Sequence, residues 1–545
     1  MPQPIVFQRA PLVQAKALPL NPGQVLPAGE LPAALLALVP ENVPLRCLEG
    51  AVRVSALTDS ADAVGRIGAA LQAQLDTQRE DGSFPLAFAD ALAVARAAWF
   101  RAMADGSRTL FAAVNRWLGW AGAHYEEIAA ELAVRHAPAD LAELLVMNYR
   151  QLGSQGALRL LARIRRDADD WATRLGAFAV DRPADGEQLR QKLLEAPEEE
   201  RTYWEDQAAI SDPVRLAEGF RAVHAFSLYS GNRSEAEAGG KAWTRLQRWH
   251  GAVCGGVTGA DCLGGRSPAA AIDPAAVGAW LEALAPYAAD GEAWAAEGIE
   301  QILCSALPAV LRRGAFAVNQ TDGKTTPVDA RALGHLARGY AAAALAAVAA
   351  EPDGCAVRYL MPGVCGLRVR DQRFRLKIGR TADGMVLTVH PDSPAPMCLT
   401  LRVPAWLTGP AAALNGAVCA VPVNGECVLD QTWHDGDRVT LTGKPALRIT
   451  EGHHQSRAVF LGAALMALPV KADEPFAYAL ASAGTDEDGR VVASLIPVNG
   501  WRLRDGLPAD VPVLPAAAGD AVERELIPFA CLDSGIAVFA GVRAS

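Results

Sequence analysis

Residues 259–277, GADCLGGRSPAAAIDPAAV, gather side chains that could do chemistry in one glycine-rich stretch. Asp261 and Asp273 supply two carboxyl groups, and such a pair can divide the work of proton donor and of base or nucleophile. Each also has a plain structural reading. Asp261 fits a turn satisfied by backbone N–H groups, and Asp273, directly before Pro274, fits the N-cap of a helix that starts on proline. Cys262 lies beside Asp261, but alanines fill several places where a ligand or nucleophile would be sought.

The elements that must hold this stretch are legible in outline. At 545 residues the chain exceeds one ordinary core, and 51% hydrophobic with 21% charged residues marks it as globular. The net charge of -10, with no Lys/Arg-rich run, excludes a nucleic-acid surface. Neither a charged leader followed by an apolar run nor an apolar segment of about 18 residues occurs, so no signal peptide and no membrane partner is expected. Ten cysteines are scattered without a CxxC pair, which fits free thiols in a reducing, cytoplasmic setting. Residues 1–50 read as strands and loops packing on a β domain. From 51 to 352 apolar residues recur at helical spacing, and from 353 to 545 short alternating runs are separated by turns such as LNGA and HDGD. The expected fold class is therefore α+β multidomain, an α-toroid followed by antiparallel β-sandwich domain(s).

Familiar motifs fail. The sequence DGKTT at 322–326 lacks the first glycine of a phosphate loop, and His453–His454 fits an exposed turn better than a metal site. Three longer stretches carry more information. RWHGAVCGGVTGADCLGGRSPAAAIDPAAV, continuing to GAFAVNQ, is one; LTLRVPAWLTGPAAALNGA with QTWHDGDRVTL is the second; AVFLGAALMALPV with ELIPFACLDSGIAVFAGV is the third. In order and spacing they resemble glycoside hydrolase family 127, the β-L-arabinofuranosidase-like proteins, and QREDGSF resembles that family's Gln-x-x-Asp-Gly turn.

The resemblance implies an (α/α)6 barrel with β-sandwich modules and a sugar pocket at the barrel mouth. It also implies a cysteine thiolate held on zinc by a Glu and further cysteines, with a second Glu as acid/base. Aligned by eye, the acid/base position falls on Asp261 and the Glu-x-Cys position on Asp273-Pro274-Ala275. The adjacent cysteines fall near Arg331-Ala332. The family's thiols are thus missing, so no metal and no other cofactor is expected. Arg331 is expected to pair with Asp261 or Asp273 and to lower its pKa. His224, His250, Asn319, Arg331, His335 and Tyr340 fall near pocket-lining segments and are candidate substrate-binding residues.

Three readings stay open. In one, Asp261 and Asp273 cleave a glycoside without zinc. In another, a non-catalytic relative keeps the pocket and binds a sugar or a protein. In the third, the pocket serves another reaction, such as an elimination with Tyr and His as base and acid. The expected partner is a carbohydrate or glycoside, and a homodimer is among the assemblies allowed.

Overall fold

A computed structural model describes residues 3–129, 138–320, 325–381, 384–420, 422–452, 455–470, 477–499, 516–517 and 519–540. Residues 322–324 of DGKTT and His453–His454 lie outside the described residues. Among the described residues, six helices close into an inner ring: Leu45–Ser55, Phe88–Asp105, Ala139–Leu152, Pro213–Ser230, Pro274–Ala289 and Ala330–Ala346. They are called the first to sixth inner helices. Each packs on the next, and the sixth packs on the first. Outer helices Ala61–Leu75, Arg108–Ala123, Gln155–Asp167, Arg233–His250 and Ala293–Gln301 follow the first five inner ones and cover their backs. The result is the α-toroid that the helical periodicity called for.

The reading of residues 1–50 as strands and loops needs correction. Leu31–Ala37 and Leu45–Ser55 are helical, so a boundary after residue 50 cuts the first inner helix. Pro40 and Pro44 mask its start, yet Leu48 and Val52 bury one face at the four-residue spacing of a helix. Two short strands from the same region do join the β part. Leu18–Pro19 pairs with Val348–Glu351, and Val25–Pro27 with Gly363–Val369.

Glycine sets how closely the ring closes. A Cβ on Gly278 of the fifth helix would stand 2.2 Å from the His335 carbonyl carbon, and one on Gly339 of the sixth would stand 2.0 Å from the Gly278 oxygen. Only bare backbone fits there, which explains why the alanine-rich stretch around Gly339–Tyr340 makes such close helix contact.

Beyond the toroid lie a five-stranded and a seven-stranded sheet, then a nine-stranded one at the C-terminus. Their ladders are antiparallel except that Ala395–Arg402 runs parallel to Gly354–Val357. The β units are fastened to the toroid by buried polar contacts. Glu300 pairs with Arg402 at 2.6 Å, and Arg313 donates from Nε to the Leu532 carbonyl at 2.6 Å.

The centre of the ring is charged. Arg53, Arg96, Arg221 and Arg338 face Glu49, Asp140, Glu143 and Glu282, so every inner helix contributes. Arg96 is fully buried and lies 2.8 Å from Glu49, 3.2 Å from Glu143 and 3.3 Å from both Asp140 and Glu282. Arg221 reaches Asp140 at 2.6 Å, while Arg338 reaches it at 2.5 Å and Glu282 at 2.9 Å. Although burial opposes ionisation, the guanidiniums outweigh it and hold Asp140 and Glu282 well below the usual carboxylate range. Replacing Arg96 with Met leaves four carboxylates, Glu49 and Glu282 of them buried, against three cations. It should cost about 3–5 kcal/mol of stability, read from the midpoint of urea unfolding.

Candidate active site at the barrel mouth

Three neighbouring inner helices begin on aspartate. Asp212 caps the fourth, accepting from Val214 N at 2.8 Å and Arg215 N at 3.1 Å. Asp273 caps the fifth through Ala275 N at 3.2 Å, and Asp329 caps the sixth through Ala332 N at 2.7 Å. Proline follows the first two, as expected for a first helical residue whose N–H has no partner. These ends meet at one opening of the lumen. Arg331, exposed in the first turn of the sixth helix, acts electrostatically on Asp212, Asp273 and His335.

Arg331 therefore stands at the mouth, but its expected effect is reversed in sum. Asp273 is raised, because burial and the charges of Asp329 and Asp212 outweigh the arginine. Asp212 is raised too, chiefly by burial. Asp261 is exposed on a turn of the 259–273 loop, and no hydrogen bond or ion pair joins it to Asp273 among the described residues. Asp212 is the carboxylate that links the two regions, acting on both Asp273 and Cys262.

The loop itself is held by His250 at the end of its outer helix. Its Nε2–H donates to the Val180 carbonyl at 2.8 Å, and Nδ1 accepts from Gly265 N at 3.1 Å, which fixes the neutral tautomer. Burial lowers the pKa of this ring in keeping with that state. Leu263 N donates to the Ser211 carbonyl at 2.7 Å, and Ala184 N to the Leu263 carbonyl at 3.0 Å. Gly259 has φ +119°, and a Cβ there would lie 2.0 Å from the Cys262 oxygen, so the tight turn before Asp261 requires glycine. Against the loop lies an exposed helical pair, Gly186–Glu195 and Glu198–Ser211, the charged stretch of the sequence. Between this pair and residues 173–185 is a cavity of about 660 Å³ that adjoins the mouth at Asp185 and Ser211 and is lined in part by Arg174, Asp181, Lys192 and Tyr203.

Deeper in the lumen two groups face the charged centre from above. His335 feels Arg338 and Arg331, and burial with those cations lowers it to about 4, so it stays neutral. Its Nδ1 is buried without a hydrogen-bond partner. Glu218, on the fourth helix, was not among the sequence candidates. Burial and the nearby Asp140 raise it to about 7, with Arg221 and Arg338 pulling the other way. A lone carboxylate in the otherwise largely apolar RLAEGFRAV is the signal by which the sequence could have revealed it.

The remaining candidates lie elsewhere. Asn319 is buried between the toroid and the C-terminal strands. Its Nδ2 donates to the Val538 carbonyl at 2.7 Å and its Oδ1 accepts from Ala537 N and Val538 N at 2.9 Å, so its amide is spent on an interface. Tyr340 is 2% exposed, and burial pushes its phenol upward, which suits packing better than proton transfer. His224 sits toward the opposite end of the ring, with Nε2 2.9 Å from Asp290.

Among the described residues no cysteine belongs to a group of three or more converging metal donors. Burial and the charges of Asp212, Asp261 and Asp185 raise the Cys262 thiol, and burial pushes Cys254 up to about 12. Among the described residues, the donors whose ligand atoms converge within 4.8 Å are Asp140, Glu143 and Glu282. Their oxygens already face the four central guanidiniums, which leaves no room for a further cation's charge.

The described residues thus form an α-toroid with carboxylates at its mouth, backed by antiparallel β-sheet modules. Comparison with known proteins makes this specific. Residues 379–443 match the family model of the β-L-arabinofuranosidase GH127 middle domain. A solved glycoside hydrolase superposes with TM-score 0.70 at 16% identity, covering 97% of this chain and 98% of the other. A GH127 β-L-arabinofuranosidase from Geobacillus stearothermophilus T6 gives 0.63 at 15% identity, covering 94% of each chain. The GH127 β-arabinofuranosidase BT3674 gives 0.66 at 12% identity, covering 96% and 98%. No curated protein matches by sequence. Residues 379–443 are thus similar to the GH127 middle domain, and the chain shares the fold of these GH127 structures over nearly its whole length, in line with the resemblance of the three sequence stretches.

Replacing His250 with Phe keeps the ring's bulk and removes both hydrogen bonds. The expected outcome is faster amide exchange at Gly265, with a loss of about 1–3 kcal/mol in global stability.

Proposed function

We propose that the barrel mouth is a carbohydrate site that works with carboxyl groups and without a zinc-held thiolate. The observation that carries this is Glu218, a carboxyl in the lumen of a GH127-type barrel raised to about 7. At neutral pH such a group is shared between its acid and base forms, which suits it to protonate a leaving glycosidic oxygen. Asp212 lies within electrostatic range and, being half-buried, is placed to support positive charge that develops on a sugar ring. Arg331 and the cavity beside Asp185 are placed to receive hydroxyl groups of the sugar. Asp273, whose carboxylate caps a helix, serves as a positioning residue.

A second reading, a relative that binds glycosides without cleaving them, draws support from that same capping role and from the exposure of Asp261. The two readings part in one experiment. Aryl-glycosides and oligosaccharides are screened for turnover and for binding, with wild type beside Glu218→Gln and Asp261→Asn. Cleavage that falls at least about a hundredfold in Glu218→Gln and survives in Asp261→Asn supports the first reading. Saturable binding without turnover supports the second, and neither binding nor turnover would sink both. Cleavage that depends on Glu218 as acid should also decline as pH rises through about 7.

Stability gives an independent check on this carboxyl. A folded pKa raised above the unfolded one means that the folded state binds the extra proton, so stability declines as pH rises from about 4.5 to 7. Glu218→Gln should match wild type near pH 4 and exceed it by about 1–3 kcal/mol at pH 8 in thermal unfolding.

A further inference from the structure

The end of the ring opposite the mouth holds a cavity of about 230 Å³, below the size usual for drug-sized ligands. Its wall is mostly apolar and includes Leu18, Leu20, Trp99, Met103, Met147 and Leu228. Into this wall is set Arg150, from the last turn of the third inner helix. Its side chain is 9% exposed, and both Nε and Nη2 are buried without a hydrogen-bond partner. A desolvated guanidinium left so is costly, and an anion is what it lacks.

Among the described residues, no carboxylate forms an ion pair with Arg150. The central arginines and carboxylates are matched four against four, so Glu143 and Glu282, which border the cavity, are already engaged by Arg221 and Arg53. Asp290 acts on Arg150 through space, but its carboxylate binds His224 Nε2, and no ion pair links it to Arg150 among the described residues. We propose that this cavity is a binding site for a small amphipathic monocarboxylate. The carboxylate meets Arg150, and the hydrocarbon part lies along Met103, Met147 and Leu228. A phosphate or sulfate is disfavoured, since it carries more charge than the one guanidinium without an ion pair neutralises in a mostly apolar wall. His224, a sequence candidate that the mouth does not use, stands at this cavity.

Isothermal titration of the full chain with octanoate, n-octanol and octylamine tests the assignment. Octanoate should bind saturably, octanol should bind about tenfold or more weakly, and octylamine should not bind. Arg150→Met should bring octanoate down to the level of octanol while octanol itself is unchanged. The proposal is overturned if octanoate fails to bind, if octanol binds wild type equally well, or if Arg150→Met leaves octanoate affinity intact. The wild-type series decides the matter even if the variant does not fold. None of these readings depends on glycoside turnover, so they stand apart from the test of the mouth.

Discussion

The rest of the molecule is arranged around four arginines and four carboxylates sharing the axis of a helical ring. A toroid of six helices leaves a central channel, and small apolar side chains alone would leave it hollow or collapse it. Charged side chains long enough to reach across fill it, provided each finds its opposite. Because every inner helix donates to this network, no helix can rotate or slide without stranding a buried charge. Such a network is weak evidence for net stability, since desolvation offsets much of the attraction, but it specifies one arrangement strongly.

The same network divides the lumen into two compartments with different chemistry. Above it, helix N-termini gather carboxyl groups, one arginine and a neutral histidine around a solvent-facing opening. Below it, helix C-termini and the N-terminal segment enclose a mostly apolar space whose Arg150, unlike Arg53, has no ion pair among the described residues. Matched charge at the centre keeps each end's electrostatics local. Glu218 lies just above the network and takes its raised pKa first from burial and then from Asp140 on the shared border.

Much of this was legible in the sequence, and for stated reasons. Helical periodicity gave the toroid, alternation gave the sheets, and the Asp-Pro pairs at 212–213 and 273–274 announced two helix starts at the mouth. The central network was not read because an isolated Arg or Glu in a helix is ordinarily taken for a solvated face. Arg96 in ALAVARAAWF and Glu282 in VGAWLEALA have no polar neighbours at helical spacing, and that isolation was the available signal. The placement of Asn319, His224 and Tyr340 could not follow from order along the chain. Residues close to a pocket-lining segment divide among mouth, interface and closed end according to the direction in which the helix presents them.

The two short strands before residue 30 have a consequence for how the chain is made. Leu18 pairs with Ala350 and Val25 with Cys365, so the first strands wait for partners that emerge more than three hundred residues later. At translation speeds of roughly 5–20 residues per second, that wait is roughly 15–70 s. During it, the apolar N-terminal segment and the open seam between the first and sixth inner helices stand unprotected. Newborn chains therefore hold these strands unpaired until the sheets they join appear, and a chain ending before residue 348 would lack the partner of Leu18–Pro19.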